Sequence, residues 1–372
     1  MRKEYQNPVV YSTTMKRPQV LVVGAGVAGL ACARELSRRD VPAVVLERAR
    51  GVGGRCATRR VNGEPVDFGL PFLPACSGEF AEALNELDPA GKIPGWPVRV
   101  REVRLACNPD FFRPGRRRMA RVEGVSAFPK LLAREVDVRL GHDVAALAER
   151  DGSVVVRLRD GGAMEAGFLV LACAHSQSRA LAEPLVRDWP GAAAGLAALH
   201  SLPVLPALTV IAGYGPAAPD PGFDIWYPLE SIMLHTISND SSKRPAPCDR
   251  IMVYQARERF SREVVGRPPE EWRRELLWEA GELMGPWAAR PAWTQEHVWE
   301  DARVRREHIL GGPVVFESRD PSVRGPRARV ALIGDAFASD PGVEGAYMSG
   351  ISMGEQIASL PEVRSARLAD AG

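Results

Sequence analysis

The stretch VVGAGVAGLACARE, Val22 to Glu35, decides the reading of this chain. Three glycines, Gly24, Gly26 and Gly29, stand at the spacing of a phosphate-binding turn. Before them, Val20 to Val23 is an aliphatic run of the kind that forms a fully buried parallel strand. After them, Val27 to Arg39 has no proline, and its alanines suit a helix that must lie close to a sheet. PAVVLER, Pro42 to Arg48, then reads as a second buried strand and completes a βαβ unit. Each glycine has a mechanical role in that unit. Gly24 allows the tight turn, Gly26 lets the backbone approach a pyrophosphate, and Gly29 lets the helix rest on the strands. The helix start, with Ala28 in its first turn, turns unpaired N–H groups and a positive dipole end toward the phosphates. Glu47 follows Gly29 by 18 residues, near the offset at which an acid accepts a pair of ribose hydroxyls, and Arg48 stands beside it.

A second glycine-rich turn, GVGGRCATRR (Gly51 to Arg60), follows the second strand directly. A nicotinamide-type dinucleotide domain has no need of it. FAD is longer, and its pyrophosphate can be held from both sides, by the helix start at Gly26 and by a loop carrying Gly54 and Arg55. FAD is therefore the expected cofactor.

Composition narrows the remaining classes. The 372 residues can bury one large core or two modest ones. With 48 basic and 46 acidic side chains the formal charge is +2, so no general attraction to nucleic acid or anionic membrane is indicated. The arginine run RPGRRRMARV (Arg113 to Val122) could meet phosphates, although such a run is more often a solvated turn. Six scattered cysteines without a C-x-x-C pair argue against a disulfide framework or a zinc site, and no metal is expected. The N-terminal residues lack the apolar core of a signal peptide, and no run of about 18 apolar residues is present, so a cytoplasmic protein without a membrane span is expected.

The segments GAGVAGL, LER and GGRCATRR resemble the FAD-binding start of the flavin amine oxidase superfamily, whose fold is similar to that of the hydroxybenzoate hydroxylase group. RVALIGDAFASDPGVEGAYMSGISMGEQIASL (Arg329 to Leu360) resembles its C-terminal flavin motif. The resemblance implies that Gly334 and Asp335 meet the ribityl chain. It also places a helix start with Glu344, Gly345, Ala346 and Tyr347 near the pyrimidine end of the flavin, where the dipole stabilises charge gathered on reduction. By the same resemblance Val144, in HDVAALAERDG, passes over the adenine, and Gly69 and Leu70, in VDFGLPFLPA, belong to a flavin-adjacent loop.

Two internal segments, HTISNDSSKRP (His235 to Pro245) and EHVWEDARV (Glu296 to Val304), together with VEGAYMSG, resemble the renalase-like branch. That branch implies oxidation of mis-reduced dihydronicotinamide dinucleotides, with electrons passing through FAD to oxygen. Departures fall where substrate is expected. Val298, Glu300 and Asp301 replace the arginines and tyrosine usual around Trp299, and Leu70, Pro71 and Phe72 replace a polar and aromatic stretch. A desaturase or amine oxidase acting on a cationic small molecule, or a flavin-binding protein without turnover, are the alternatives.

His235, Trp299 and Tyr347 are the candidate catalytic residues; His297 is a second candidate for proton transfer beside His235, and Trp226 and Tyr227 join Trp299 and Tyr347 as candidate aromatic walls. A covalent flavin link is not expected, since no cysteine occurs from Asp249 to Gly372. The expected architecture is α/β. A discontinuous Rossmann-like FAD-binding domain comprises 16–75, 129–180 and 323–360. An inserted α+β substrate domain on an antiparallel or mixed sheet comprises 76–128 and 181–322. A polar arm, 1–15, precedes them and a tail, 361–372, follows. The substrate domain includes a helix over Glu270 to Gly285 with an apolar stripe at Trp272, Leu276, Leu277, Ala280 and Met284.

Overall fold

A computed structural model describes residues 20–93, 95–106, 108–319, 325 and 327–363. The expected polar arm 1–15, Cys107 and residues 364–372 of the expected tail lie outside them. In chain order the strands are β1 (Val20–Val23), β2 (Ala43–Glu47), β3 (Thr58–Val61), β4 (Glu64–Asp67), β5 (Leu73–Ala75), β6 (Val100–Arg101), β7 (Arg117–Met119), β8 (Asp137–Leu140), β9 (Val144–Arg150) and β10 (Ser153–Leu158). They continue with β11 (Ala163–Ala166), β12 (Phe168–Leu171), β13 (Ala207–Gly213), β14 (Ile225–Trp226), β15 (Leu234–Asn239), β16 (Ile251–Ala256), β17 (Trp293–Trp299), β18 (Val314–Glu317) and β19 (Arg329–Leu332). The α-helices are α1 (Val27–Arg38), α2 (Gly78–Asn85), α3 (Ala127–Leu132), α4 (His175–Val186), α5 (Ala192–Ser201), α6 (Glu258–Val264), α7 (Pro269–Met284) and α8 (Val343–Ser359).

The chain divides into two units. The first comprises 1–54, 132–203 and 305–372. Its six-stranded sheet runs β18-β19-β12-β1-β2-β8, parallel throughout except for the antiparallel edge strand β18. Strands β1, β12 and β19 are buried at every residue, which is why, apart from Arg329 at the start of β19, they read as continuous apolar runs and not as alternating ones. The turn after β1 holds Gly24 at φ 107°, and a Cβ there would lie 2.9 Å from the Ala172 carbonyl oxygen, so the strand-to-helix turn accepts only glycine. Helix α8 lies against α1 at close range. A Cβ at Gly350 would stand 2.2 Å from the Ala28 carbonyl oxygen and 2.9 Å from the Ala31 Cβ. The small residues of GVAGLACARE and of SGISMG are thus two sides of one helix contact.

The second unit comprises 55–131 and 204–304. Its six-stranded sheet runs β17-β13-β16-β15-β14-β6 and is antiparallel apart from the parallel pair of β14 with β6. Helices α6 and α7 cover one face, where Trp272, Leu276, Leu277 and Ala280 join Leu208, Val210, Met252 and Tyr254 in a common core, as the helical stripe predicts. Over the other face, Val61, Val66 and Phe68 from the β3–β4 hairpin pack on Ile211, Ile251 and Val253.

These boundaries differ from the sequence-based ones. Residues 55–75 fall in the second unit and 181–203 in the first. The physical reason is that the arginine loop runs on into the β3–β4 hairpin, whose apolar face is buried on the antiparallel sheet, whereas α4 and α5 pack beside β9 and β18 of the first unit. No helix among the described residues is long and apolar enough to cross a membrane.

Candidate cofactor and substrate site

In the first unit the glycine turn is built as a phosphate cradle. Helix α1 begins without a side-chain cap and without an acidic residue in its first turn. Gly26, its N-cap, has nothing within 4 Å of the position a Cβ would take. The start of α1 with Ala28 has first-turn N–H groups without intrahelical partners, and Gly26 leaves room for an anion beside them. Gly29 faces inward onto Val22 and Ala172. A second layer closes over the turn, because the Gly53 N–H donates to the Ala25 carbonyl at 2.8 Å and Gly54 lies against Gly26. The residues present thus fit the pyrophosphate of a dinucleotide.

Glu47 ends β2 in a conformation that sequence did not reveal. One carboxylate oxygen accepts the Ala25 N–H at 2.8 Å and the other the Ala49 N–H at 2.9 Å. Each oxygen retains further acceptor capacity, so the side chain can brace the glycine turn and still receive ribose hydroxyls. Arg48 is exposed beside it. The segment bearing Val144 is brought here by the His142 N–H, which donates to the Glu47 carbonyl at 2.9 Å. Cys173, at the end of β12, donates to the Val23 carbonyl at 3.3 Å, and burial pushes its thiol up to about 12, which makes it unreactive.

The C-terminal motif lies in the same unit. Asp335 is buried directly after Gly334, whose N–H donates to the Ser349 hydroxyl on α8 at 3.2 Å. Glu344, Gly345, Ala346 and Tyr347 form the first turns of α8, with Tyr347 only 7% exposed.

The second unit gathers Arg55, Gly69, Leu70 and Trp299. The Leu70 N–H donates to the Arg55 carbonyl at 3.0 Å, and an Arg55 Nη donates to the Ala302 carbonyl at 3.4 Å. The Trp299 indole N–H donates to the Phe68 carbonyl at 3.4 Å, and its ring stacks on Phe68 with centroids 5.2 Å apart. His297 meets both rings edge-on, and the Arg59 guanidinium covers Phe68 at 4.5 Å. Burial first and Arg59 second lower the His297 pKa.

His235 stands on β15, with two strands, β13 and β16, between it and β17, so it and Trp299 are not neighbours. Its ring contacts Tyr227 at 6.1 Å. Burial, then Arg303 and Arg257, hold it well below the usual histidine range, so it is neutral at physiological pH. Tyr347, the third candidate, belongs to the first unit. Trp226 and Tyr227 are core residues, and Phe72 is buried among Trp96, Ala120, Ile225 and Tyr227. Glu300 is exposed in the turn after β17, whereas Asp301 is buried. The acidic pair therefore does not form one surface.

The largest feature missed by sequence reasoning is a buried ionic cluster. The Lys243 Nζ lies 2.7 Å from both Asp67 and Asp240, with all three side chains at most 1% exposed, and Arg244 pairs with Asp240 and Glu64 at 3.0 Å. The cluster's pairs of Asp240 with Lys243 and Arg244 are local to NDSSKRP, whereas Asp67 is 176 residues from Lys243. Also missed was Thr209, fully buried on β13, whose hydroxyl has no hydrogen-bond partner among the described residues. Those residues include no cluster able to hold a metal ion.

Comparison with known proteins agrees with this architecture. Residues 22–87 match the NAD(P)-binding Rossmann-like domain family, and residues 97–358 match the family described as flavin containing amine oxidoreductase. A Mycobacterium tuberculosis protein named as a flavin-containing monoamine oxidase is 54% identical over 54 residues, 14% of this chain and 12% of its own length. Polyamine oxidase 4 of Oryza sativa subsp. japonica is 38% identical over 66 residues, 18% of this chain and 14% of its own. The matches thus span only a small part of those relatives. The solved structure of cyclohexylamine oxidase from Brevibacterium oxydans superposes with a TM-score of 0.60 over 92% of this chain and 99% of that one, at 16% identity, which shows a shared fold. With the amine oxidoreductase match extending over well more than half of its length, the chain belongs to the flavin-containing amine oxidoreductase family, whose characteristic cofactor is noncovalently held FAD.

Proposed function

We propose that the protein is an FAD-dependent oxidase of the renalase-like branch, taking hydride from a dihydronicotinamide-type substrate, with oxygen as the final acceptor. FAD, when bound, would supply a hydride acceptor at N5 and a route for the electron pair to oxygen. The glycine turn and the α1 start bind the pyrophosphate, Glu47 the ribose, and Asp335 the ribityl chain. By the family resemblance Gly69 and Leu70 would be flavin contacts, and the start of α8 with Tyr347 would stabilise charge at the pyrimidine end.

The observation that carries the choice of substrate is the charge around His235. Beside burial, two arginines, Arg303 and Arg257, press its pKa down. A protonated amine would be repelled there, while a neutral dihydropyridine carrying phosphates or a carboxamide would not. A dihydropyridine becomes aromatic on losing hydride, so no general base is required, and a neutral imidazole is suited to hydrogen bonding and orientation. Phe72, packed into the core, is not a plug over the flavin, which supports turnover over the flavin-binding alternative. The segments HTISNDSSKRP and EHVWEDARV support the renalase-like assignment.

The test is an anaerobic absorbance titration of the purified protein with 2- and 6-dihydronicotinamide dinucleotides, with NADH and simple amines as comparators. Rapid bleaching by the isomeric dinucleotides is expected. Bleaching by amines alone would replace this reading with the amine oxidase alternative.

A further inference from the structure

We propose that Gln255 and Lys243 are positioning residues that hold the backbone from Asp67 to Leu70 in the shape that meets the flavin, an inference that rests on the reading of Gly69 and Leu70 as flavin contacts. Every residue of that segment is tied down. The Asp67 carboxylate accepts the Thr58 hydroxyl at 2.6 Å, the Val125 N–H at 3.0 Å and the Lys243 ammonium at 2.7 Å, while the Asp67 N–H donates to Asp240 at 3.2 Å. The Phe68 carbonyl receives the Trp299 indole N–H at 3.4 Å. The Gly69 carbonyl receives the Gln255 amide at 2.5 Å, and the Leu70 N–H is bound by the Arg55 carbonyl. The Phe68–Gly69 and Gly69–Leu70 peptides cannot rotate without breaking one of these bonds.

The chemistry of the two side chains fits positioning better than stabilisation. Gln255 projects from β16 on the face that also carries Ile251 and Val253, with Thr209 and Thr236 as its cross-strand neighbours. What the amide adds is a donor shared between the Gly69 carbonyl at 2.5 Å and the Phe68 carbonyl at 3.4 Å. Lys243 is buried with two aspartates and lies 4.6 Å from the centre of the Trp96 ring. A buried ion pair of this kind is a poor source of net stability compared with apolar side chains of similar size, so its use is in fixing one geometry. Lys243 fixes the carboxylate at the head of the segment, and Gln255 fixes the carbonyl two residues on.

The experiment uses the FAD-loaded full chain and reads visible circular dichroism of the bound flavin and the FAD dissociation constant after reconstitution, beside the melting temperature. Gln255→Leu and Lys243→Met are expected to change the flavin dichroism and to weaken FAD by at least roughly tenfold, with Lys243→Arg restoring part of both. Arg244→Met, which alters the same ionic cluster without touching Asp67, should lower the melting temperature and leave the flavin dichroism as it was. Gly69→Ala, whose Cβ would press on the Arg55 carbonyl at 2.3 Å, tests the underlying reading. If Gly69→Ala changes the dichroism and Gln255→Leu and Lys243→Met do not, the proposal is overturned and the loop assignment stands. If Gly69→Ala changes nothing, the assignment fails and takes the proposal with it. Should Lys243→Met fail to fold, Gln255→Leu decides alone.

Discussion

Replacing Glu47 by alanine tests the cofactor cradle most directly, because this carboxylate has two tasks. It accepts the Ala25 N–H inside the glycine turn and the Ala49 N–H just beyond β2. Hydrogen bonds to a charged acceptor contribute about 1.5–3 kcal/mol each, but the Ala49 bond is exposed and contributes little, so the apo protein should lose about 2 kcal/mol. At about 2–4 °C per kcal/mol for a unit of this size, the apo melting temperature should fall by about 5 °C. FAD loses a ribose acceptor and also meets a looser turn, and its dissociation constant should rise at least roughly tenfold. Differential scanning fluorimetry of apo and reconstituted protein, with flavin occupancy measured by absorbance, reads both effects. Glu47→Gln, which keeps one acceptor oxygen, should fall between wild type and alanine. Full occupancy with an unchanged apo melting temperature would refute both roles.

Three further outcomes are expected. Gly350→Val forces a branched side chain between α8 and α1, where even a Cβ stands 2.2 Å from the Ala28 carbonyl oxygen; overpacking costs about 1–3 kcal/mol and a backbone clash more, so chemical denaturation should show a loss of about 3 kcal/mol, and an unchanged midpoint would mean the helices can part. His235 is neutral in the fold and its pKa lies below its ordinary value, so the unfolded chain binds more protons and stability falls as pH drops below about 6.5. His235→Gln should flatten the dependence of melting temperature on pH between 7 and 5, and an identical slope would show that the imidazole is not held neutral. Glu300→Arg, in an exposed turn, should shift stability by no more than about 0.5 kcal/mol and leave the ratio of turnover on dinucleotide and amine substrates unaltered; a changed ratio would place that turn at the site.

Those features that depend on a short window of chain were legible in the sequence. The strand, glycine turn and helix from Val20 to Arg38 appear within a residue of their expected limits, and α7 buries the stripe that its 3.6-residue period announces. Backbone preference and side-chain period are local, so they can be read without knowing what the element packs against. The acid at the end of β2, Glu47, was legible for the same reason, although its hydrogen bonds to the Ala25 and Ala49 N–H groups were not. Tertiary structure decided the rest. It assigned 55–75 to the second unit, because a hairpin must bury its apolar face on a partner found far along the chain. It brought Lys243 to Asp67 across 176 residues, and it separated the acidic neighbours Glu300 and Asp301 into one exposed and one buried side chain. It also kept His235 neutral, since a charge state follows from desolvation and from arginines contributed by other segments. Residue type limits what a side chain can do, and burial with long-range pairing decides which of those things it does.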